Sequence, residues 1–383
     1  MEISKVFEKI DDIEKDFINI WCDVCNIESP TTFKDGVDRC GKYFADYALS
    51  LGWKVEYSRQ EVSGDVVVIT MNPESDLPPV ALSGHIDTVH PIGMFGTPAV
   101  RMDEDKIYGP GVTDCKGGVV AGLMAMKALS DCGFTSRPIK LLLQTDEEVG
   151  SRLSDKTTIK YICDKAKDAV IFLNLESHTP GKATLTRKGI ISYEFHVTGK
   201  EGHSSRCVTE GANAVVDAAH KLIELDKFKD DAGITCNCAV VNGGTVVNTV
   251  PGKCKFSVNF RYVNNEHLEF IDKFVNELAT TEHVPGCTCT VSVLGDRPAM
   301  EHKEKNIEIM GRVNEIFEKA GLPTLSPQSL RGGSDASYVT GADIPCLDSM
   351  GTRGGKSHSI NEFAYLDSMS EAAKRIAAIA IGI

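Results

Sequence analysis

Histidines and carboxylates stand in five short segments, each just after a strand-like run or in a glycine-rich stretch. The segments are SGHIDTV with His85 and Asp87, YGPGVTDCKGG with Asp114, QTDEEVGS with Glu147 and Glu148, LNLESH with Glu176, and GKSHSINE with His358. Imidazole and carboxylate groups together suit Zn²⁺, Mn²⁺ or Co²⁺ and disfavour Cu⁺ and iron–sulfur clusters. One such segment alone is typical of a turn or a helix cap, whereas five of them predict a shared metal site.

Two histidines and three carboxylates are enough for two cations if one carboxylate bridges them. Each cation would then have one imidazole, one terminal carboxylate and the bridge, with open positions that suit catalysis. Adjacent Glu147 and Glu148 cannot easily reach the same cation, so we expect one to bind metal and its neighbour to act as a general base. Asp87 is placed either to accept the second ring N–H of His85 or to cap a turn.

The strand-like runs that precede these residues predict an α/β fold. Residues 65–70, 79–83, 140–144 and 169–175 alternate with helical patterns such as 117–129, which favours a largely parallel sheet. The last three runs are almost continuously apolar, as strands covered on both faces should be. In open α/β sheets, ligands bind outside the carboxyl ends of the strands, so we expect the five segments at one rim.

The middle of the chain has a different pattern. Strand-like and helical runs follow in the order β-α-β-β-α-β, at residues 191–199, 211–225, 234–243, 253–263, 266–280 and 287–295. This order is that of the ferredoxin-like split arrangement. Helical patterns near 307–320 and 367–380 then resume the first domain. We therefore expect a catalytic domain in two parts, 1–187 and 298–383, with residues 188–297 inserted as a ferredoxin-like α+β domain.

The composition narrows the class of protein. A chain of 383 residues is too long for one ordinary core, so two domains are expected. The net charge of −13 disfavours binding to nucleic acid. The apolar runs are shorter than the roughly 18 residues that a membrane span needs, which predicts no membrane partner.

The thirteen cysteines are irregularly spaced, which indicates reduced thiols rather than a disulfide framework. Pairs such as Cys22 and Cys25 could alternatively hold a structural zinc ion, although the spacing between pairs matches no zinc finger or ribbon. The first residues, MEISKVFEKIDDIEKDF, have the pattern of an acidic amphipathic helix and lack the features of a secretory signal. The sequence therefore predicts a cytoplasmic protein.

These motifs resemble those of the M20 family of metallopeptidases, and within it the glutamate carboxypeptidase type. The similar stretches are GHIDTVHP, YGPGVTDCKGG, QTDEEVGS, TGKEGHSS, NGGTVVNTVP, RGGSDASY and KSHSINEFAYLD, and they span nearly the whole chain. The resemblance implies a hydrolase with two divalent cations, zinc first and cobalt or manganese as alternatives. It also implies a cis bond between Asp114 and Cys115, and a homodimer formed through the inserted domain.

The resemblance also implies individual roles. Asp114 is similar to the bridging carboxylate, His85 and Glu176 to the other ligands of one cation, Glu148 and His358 to those of the second, Glu147 to the general base, and Asp87 to the carboxylate that orients His85. In the inserted domain, which is a lid in this family, His203 is similar to a histidine that stabilises the oxyanion in the partner subunit's site. A capped turn at Ser204–Ser205 is the alternative for that histidine.

Further positions resemble substrate contacts of the family. Asn248 is similar to a substrate-contacting lid residue, and Arg261 and Arg297 match positions that grip a substrate carboxylate. Either arginine could instead be a surface ion-pair partner. Gly332 and Gly333 resemble a loop that borders the substrate, whereas the loop 351–355 is less typical.

The implied substrate is a small peptide or an N-acyl amino acid. A carboxypeptidase that releases a C-terminal residue, an acidic one included, is the first interpretation. An N-acyl amino acid deacylase or a di/tripeptidase is the alternative. A metal-binding module without hydrolysis would have no use for Glu147. A nucleotide-binding α/β protein is disfavoured, because the sequence has no G-x-x-x-x-G-K-[ST] motif and GPGVTDCKGG lacks the G-x-G-x-x-G spacing after a strand.

Overall fold

The structure, a computed structural model, describes residues 1–228, 230 and 233–383. The described residues form two compact units. The first consists of Met1–Thr186, His302–Ser329 and Ser334–Ile383, and the second of Arg187–Glu301 and Leu330–Gly333.

The second unit extends beyond residues 188–297, the span expected for the inserted domain. The backbone N–H and C=O of Arg187 pair with those of Met300 at 3.0 and 3.1 Å, which holds the stretch after residue 297 in this unit. The Lys188 N–H donates to the Leu330 carbonyl at 3.2 Å. A short segment from late in the chain therefore belongs to the second unit through backbone pairing.

The helices and strands follow one another in this order: α1 (Ile3–Asn26), α2 (Lys34–Ser50), β1 (Lys54–Ser58), β2 (Val66–Met71), β3 (Val80–His85), β4 (Arg101–Met102), β5 (Lys106–Tyr108), α3 (Lys116–Asp131), β6 (Ile139–Gln144), α4 (Thr157–Ala166), β7 (Ile171–Asn174), β8 (Lys182–Arg187), β9 (Gly189–Thr198), β10 (Gly202–His203), α5 (Ala214–Leu225), β11 (Thr235–Gly243), β12 (Thr249–Val250), β13 (Lys253–Tyr262), α6 (Asn265–Thr280), β14 (Thr288–Arg297), α7 (Glu304–Ala320), β15 (Ser326–Leu330), α8 (Ala336–Gly341), β16 (Cys346–Leu347), β17 (Gly354–Gly355), β18 (Phe363–Tyr365) and α9 (Asp367–Gly382). Short 3₁₀ turns lie at Glu147–Val149 and Ser204–Arg206.

A six-stranded sheet in the order β1-β2-β6-β3-β7-β16 forms the centre of the first unit. Strands β6, β3, β7 and β16 are parallel neighbours, whereas β2 is antiparallel to both β1 and β6. The α/β fold with a mainly parallel sheet is confirmed. The run at residues 65–70 forms β2, whose reversed direction an apolar pattern cannot reveal, because direction depends on how a strand is connected.

Helix α3 is buried along almost its whole length, as its apolar sequence requires. It packs against β3 and also contacts α1 and α9. At its start, the buried Lys116 ammonium donates to the carbonyl oxygens of Val24 and Ile27 at 2.9 and 2.8 Å. These carbonyls lie at the end of α1 and have no partner within that helix. Lys116 therefore ties the end of α1 to the start of α3, two residues after Asp114.

The second unit contains a four-stranded antiparallel sheet in the order β11-β13-β9-β14. Helix α5 packs on β9, β11 and β13, and helix α6 packs on β14. The first and third strands in sequence lie in the centre of the sheet, as in the ferredoxin-like arrangement. The stacked rings of Phe195 and Phe256, 4.6 Å apart, lie in the core of this unit.

None of the thirteen cysteines, all of which lie in the described ranges, forms a disulfide, and seven of them are buried. Within the described ranges, no helix is both long enough and apolar enough to cross a bilayer.

Candidate metal centre

Three parallel neighbours of the central sheet deliver polar side chains at their carboxyl ends. His85 is the last residue of β3, the 3₁₀ turn Glu147–Val149 follows β6, and Glu176 follows β7. Because β6, β3 and β7 are adjacent and parallel, their ends meet at one edge of the sheet. The three strands themselves are buried, so polar side chains that follow them gather at this edge of the sheet.

Asp114 brings the two halves of the centre together through its two carboxylate oxygens. Its Oδ1 lies 3.0 Å from Nε2 of His85. The same His85 nitrogen is 3.7 Å from Oε1 of Glu176. One face of the Asp114 carboxylate therefore has one imidazole and one further carboxylate beside it.

The other oxygen of Asp114 has a second set of neighbours. Oδ2 lies 3.3 Å from Nε2 of His358, and this nitrogen is also 3.3 Å from Oε2 of Glu148. His358 stands in the loop before β18 in the left-handed region, with φ of +62°. Its side chain is 58% exposed, whereas that of Glu148 is 6% exposed, so the centre opens to solvent on the His358 side.

The protonation of these groups follows from their mutual contact. Burial would raise the pKa of Asp114, but hydrogen bonds from His358 and His85 lower it well below its usual range. Hydrogen bonds to Asp114 and Glu148 raise the pKa of His358 to about 10. Burial raises the pKa of Glu148 to about 7. For His85, burial acts against the charged form, yet the acidic groups around the ring hold its pKa well above the usual value.

This donor set fits divalent cations. His85, Asp114 and Glu148 present ligand atoms within 4.8 Å of one another, and so do His85, Cys115 and Glu176. The carboxylates keep positive charge on the two imidazoles, and a bound cation replaces such protons. Imidazole and carboxylate donors in a largely buried cluster suit zinc, cobalt or manganese.

The tautomer of His85 also suits metal binding. Its Nδ1 lies 2.9 Å from the backbone oxygen of Asp87, which can only accept a hydrogen bond. The proton of a neutral His85 is therefore on Nδ1, and the lone pair of Nε2 points toward Asp114. The Asp87 carboxylate, the partner expected from the sequence, is farther from Nδ1, at 3.5 Å.

The Asp87 carboxylate has other partners that explain the difference. Its two oxygens accept the backbone N–H groups of Glu147 and Glu148, each at 3.2 Å. The Thr31 hydroxyl donates to it at 2.7 Å. Asp87 is fully buried, and its carboxylate fixes the 3₁₀ turn that carries both glutamates. Glu147 is also buried and lies beside Glu148 on this turn.

Sequence patterns did not reveal a buried pair that holds Asp114 in place. Oε1 of Glu362 accepts the backbone N–H groups of Thr113 and Asp114 at 3.0 and 3.2 Å. Its Oε2 lies 2.8 Å from Nε2 of His90. His90 lies in the motif GHIDTVHP and Glu362 in KSHSINEFAYLD, so their position near the proposed ligands in the sequence was the only available signal. Nothing in a single sequence indicates that residues 272 positions apart meet.

The peptide bond between Asp114 and Cys115 is cis, and this expectation is confirmed. The Cys115 thiol is fully buried, and its sulfur accepts the backbone N–H of His85 at 3.0 Å. Burial raises the pKa of this thiol far above its ordinary value. Cys115 therefore lies beside the centre as a neutral hydrogen-bonding group.

In the second unit, His203 and Asn248 lie close together. His203 pairs with Thr249 across β10 and β12, and the Ser204 N–H donates to the Asn248 carbonyl at 3.0 Å. Nδ1 of His203 accepts the Ser205 N–H at 3.2 Å, so a neutral His203 carries its proton on Nε2. The ring thus caps the turn and still presents one N–H donor.

The two arginines singled out in the sequence flank one residue of the second sheet. Arg261 on β13 and Arg297 on β14 both pair with Ile190 on β9, so their side chains lie on one face. Burial lowers the pKa of Arg261, and the positive charge of Arg297 acts in the same direction. A Cβ atom built on Gly333 would lie 2.7 Å from Cδ of Arg297, so this loop passes directly over the arginine. The Gly332 carbonyl accepts from Arg187 at 3.1 Å in the same unit.

Comparison with known proteins identifies the family. Residues 81–381 match the sequence model of Peptidase family M20/M25/M40. Carboxypeptidase G2 from Pseudomonas sp. (strain RS-16) is 28% identical over 348 residues, which cover 89% of this chain and 82% of that protein. A probable succinyl-diaminopimelate desuccinylase from Staphylococcus aureus (strain MRSA252) is 25% identical over 375 residues, with 88% of each chain covered.

Solved structures share the fold at lower sequence identity. The aminopeptidase PepT from Bacillus cereus ATCC 10987 has a TM-score of 0.79 at 20% identity, and the match covers 96% of this chain and 98% of that one. The M20 family metallo-carboxypeptidase Sso-CP2 from Sulfolobus solfataricus has a TM-score of 0.73 at 18% identity, with 96% and 98% covered. Because the family description matches most of the sequence, this chain belongs to Peptidase family M20/M25/M40 and is a metal-dependent hydrolase of that family.

Proposed function

We propose that this hydrolase uses two divalent cations, with zinc as the first choice and cobalt or manganese as alternatives. One observation carries the proposal: the two oxygens of Asp114 face different histidine–carboxylate pairs. His85 and Glu176 would complete one cation position, and His358 and Glu148 the other. Each position would keep room for water and substrate, as catalytic sites require.

The residues around the centre divide the chemistry between them. Bound cations would supply Lewis-acid activation of water and of the scissile carbonyl. Glu147 is the proposed general base, which takes a proton from the attacking water and passes it to the leaving amine. Asp87 supports this role by fixing the backbone of the turn. His203 is the proposed donor to the oxyanion, and the proton on its Nε2 supports that role.

We propose that the substrate is a small peptide or N-acyl amino acid with a free carboxylate. The sheet face shared by Arg261 and Arg297 supports this choice, because guanidinium groups pair well with carboxylates. Asn248, Gly332 and Gly333 are the other proposed substrate contacts. A carboxypeptidase activity comes first, in line with the relative named carboxypeptidase G2. N-acyl amino acid deacylation is the second candidate, in line with the relative named for desuccinylation.

We further propose that the second unit acts as a lid and as the contact in a homodimer. Strand β11 lies at the edge of its sheet and exposes Val240 and Val241, each about half accessible. An exposed apolar edge strand is a ready site for pairing with another chain. We also propose a cytoplasmic location, as the sequence predicts.

The substrate class can be tested with the metal-loaded protein. Peptides with C-terminal glutamate should be hydrolysed with a higher kcat/KM than the matched C-terminal amides, because the amides lack the carboxylate. N-acetyl and N-succinyl amino acids, dipeptides and tripeptides complete the panel. Amides cleaved as fast as free acids would contradict recognition through Arg261 and Arg297.

Substituting the general base should separate metal binding from turnover. We expect Glu147→Gln to retain both cations and to lower kcat by about 10²–10⁴-fold, the usual contribution of general-base catalysis. Glu148→Gln is the matched control on the same turn and should lose the cation that Glu148 shares with His358. Metal analysis and steady-state kinetics on both variants provide the measurement. Turnover of Glu147→Gln near that of the parent protein would remove Glu147 from its proposed role.

Removing one histidine should empty one cation position only. His358→Ala is expected to reduce the metal content from two ions to about one per chain, because His85, Glu176 and Asp114 remain. The control His302→Ala changes an exposed histidine of the same unit and should bind metal as the parent does. Inductively coupled plasma mass spectrometry after dialysis gives the count. An unchanged content of two ions would rule out His358 as a ligand.

Metal binding should release protons and become tighter as the pH rises. With a pKa of about 10, His358 carries a proton at neutral pH until a cation displaces it. Affinity should therefore increase about tenfold per pH unit for each proton released. Below pH 7 the dependence should be steeper, because Glu148, with a pKa of about 7, also holds a proton there. Chelator competition at pH 6, 7 and 8 measures the slope, and a flat profile would contradict the protonated cluster.

A further inference from the structure

A cavity of about 370 Å³ lies in the first unit, and none of the proposed metal ligands lines it. One wall is apolar and consists of Pro180, Leu322, Pro323 and Leu325. The polar part of the lining consists of His178, Arg353 and three residues of α9, Glu371, Lys374 and Arg375. Its volume is within the range of small-molecule sites, which are mostly apolar with a few polar groups that orient the ligand.

Arg375 differs from the other cations of this cavity. The Arg353 guanidinium pairs with Asp367 and Glu371, and the Lys374 ammonium lies 2.6 Å from Asp11. Among the described residues, Arg375 has no carboxylate within ion-pair distance. Its one hydrogen bond is from Nη2 to the Gly351 carbonyl at 2.9 Å.

The Arg375 side chain is nevertheless only 7% exposed. Its Nε is buried without a hydrogen-bond partner among the described residues. Burial lowers the pKa of this guanidinium to about 10, which leaves it charged at neutral pH. The negative charge of Glu371 favours the charged form of Arg375, but only from beyond ion-pair distance. A buried charge without a direct partner is costly, and a carboxylate is the group that pairs best with a guanidinium.

We propose that this cavity binds a small monocarboxylate with an apolar body, and that the bound ligand affects the cation position at Glu176. The carboxylate pairs with the guanidinium of Arg375. The apolar body of the ligand lies against Leu322 and Leu325. The coupling to Glu176, unlike the binding itself, rests on the proposed function.

One residue, Gly351, connects the cavity to the metal centre. The Gly351 carbonyl accepts from Arg375, while the Gly351 N–H donates to the backbone oxygen of Glu176 at 2.9 Å. His178 holds the same loop, because its N–H and Nδ1 reach the carbonyls of Thr352 and Ser349 at 2.8 and 2.7 Å. A ligand that draws Arg375 away from Gly351 therefore acts on the backbone of Glu176.

The binding test uses hexanoate and phenylacetate as probes and the corresponding amides as uncharged controls. In calorimetric titrations of the metal-loaded protein, the acids should bind with dissociation constants at least tenfold lower than those of the amides. Arg375→Met and Leu322→Trp should each weaken binding of the acids at least tenfold, the first by removing the charge and the second by filling the cavity. Arg312→Met, which removes an arginine that donates to the Ile383 carbonyl outside the cavity, should bind as the parent does.

The metal centre itself can bind carboxylates, and a further variant separates the two sites. In His358→Ala, binding of hexanoate should stay within about threefold of the parent value. Binding that persists in both Arg375→Met and Leu322→Trp would overturn the proposal, as would binding that is lost only in His358→Ala. Equal affinity for acids and amides, or no binding at millimolar concentration, would also overturn it. Leu322→Trp keeps the test decisive if Arg375→Met does not fold.

The coupling has its own measurement. His358→Ala isolates the position at Glu176, because this variant is expected to keep about one cation per chain. The affinity for that cation should change at least threefold when hexanoate saturates the cavity, and this change should vanish when Leu322→Trp is combined with His358→Ala. Chelator competition with and without hexanoate reports it without reference to turnover. Binding of hexanoate without any change in metal affinity would overturn the coupling. The two-cation proposal is tested separately by the metal content of the parent protein.

Discussion

The centre depends on one carboxylate that stands between two imidazoles. Asp114 can serve both sides only if its two oxygens face different imidazoles, so a small rotation of its backbone would break its contact with His85 or with His358. Glu362 resists such rotation by accepting the N–H groups of Thr113 and Asp114 with one oxygen. Helix α3 begins two residues later and is anchored by the buried Lys116. Asp114 is thus held in place by contacts of its own backbone and of the residues before and after it in the sequence.

Two kinds of buried carboxylate occur near the centre, and their surroundings differ. Asp87 is satisfied by the backbone N–H groups of Glu147 and Glu148 and by the Thr31 hydroxyl, all of which are neutral donors. Asp114 is instead flanked by the imidazoles of His85 and His358, whose hydrogen bonds lower its pKa. Where a carboxylate lies beside imidazoles, a metal cation can replace the protons of the imidazoles. A carboxylate that accepts only neutral N–H and O–H donors instead holds the surrounding backbone in place. This contrast separates the proposed ligands from the residues that position them.

The sequence predicted those features that depend on local pattern. Continuous apolar runs indicated the parallel strands β3, β6 and β7, and the residues after them do meet at one rim. Features that depend on long-range contact were not predicted. The reversed direction of β2 and the pairing of His90 with Glu362 are examples. Helix α2 was not expected either, since Gly36 and Gly41 in its interior weaken its helical pattern.

The loop that carries Glu176 shows how close packing controls ligand position. A Cβ atom on Gly118 of α3 would lie 2.0 Å from the Leu175 carbonyl oxygen, and one on Gly351 would lie 2.1 Å from the same atom. Contacts this short are impossible for a side chain, so both positions require glycine. The peptide before Glu176 is therefore enclosed between a helix and a loop. Because Gly351 also accepts a hydrogen bond from Arg375, the same loop connects the cavity to the backbone of Glu176.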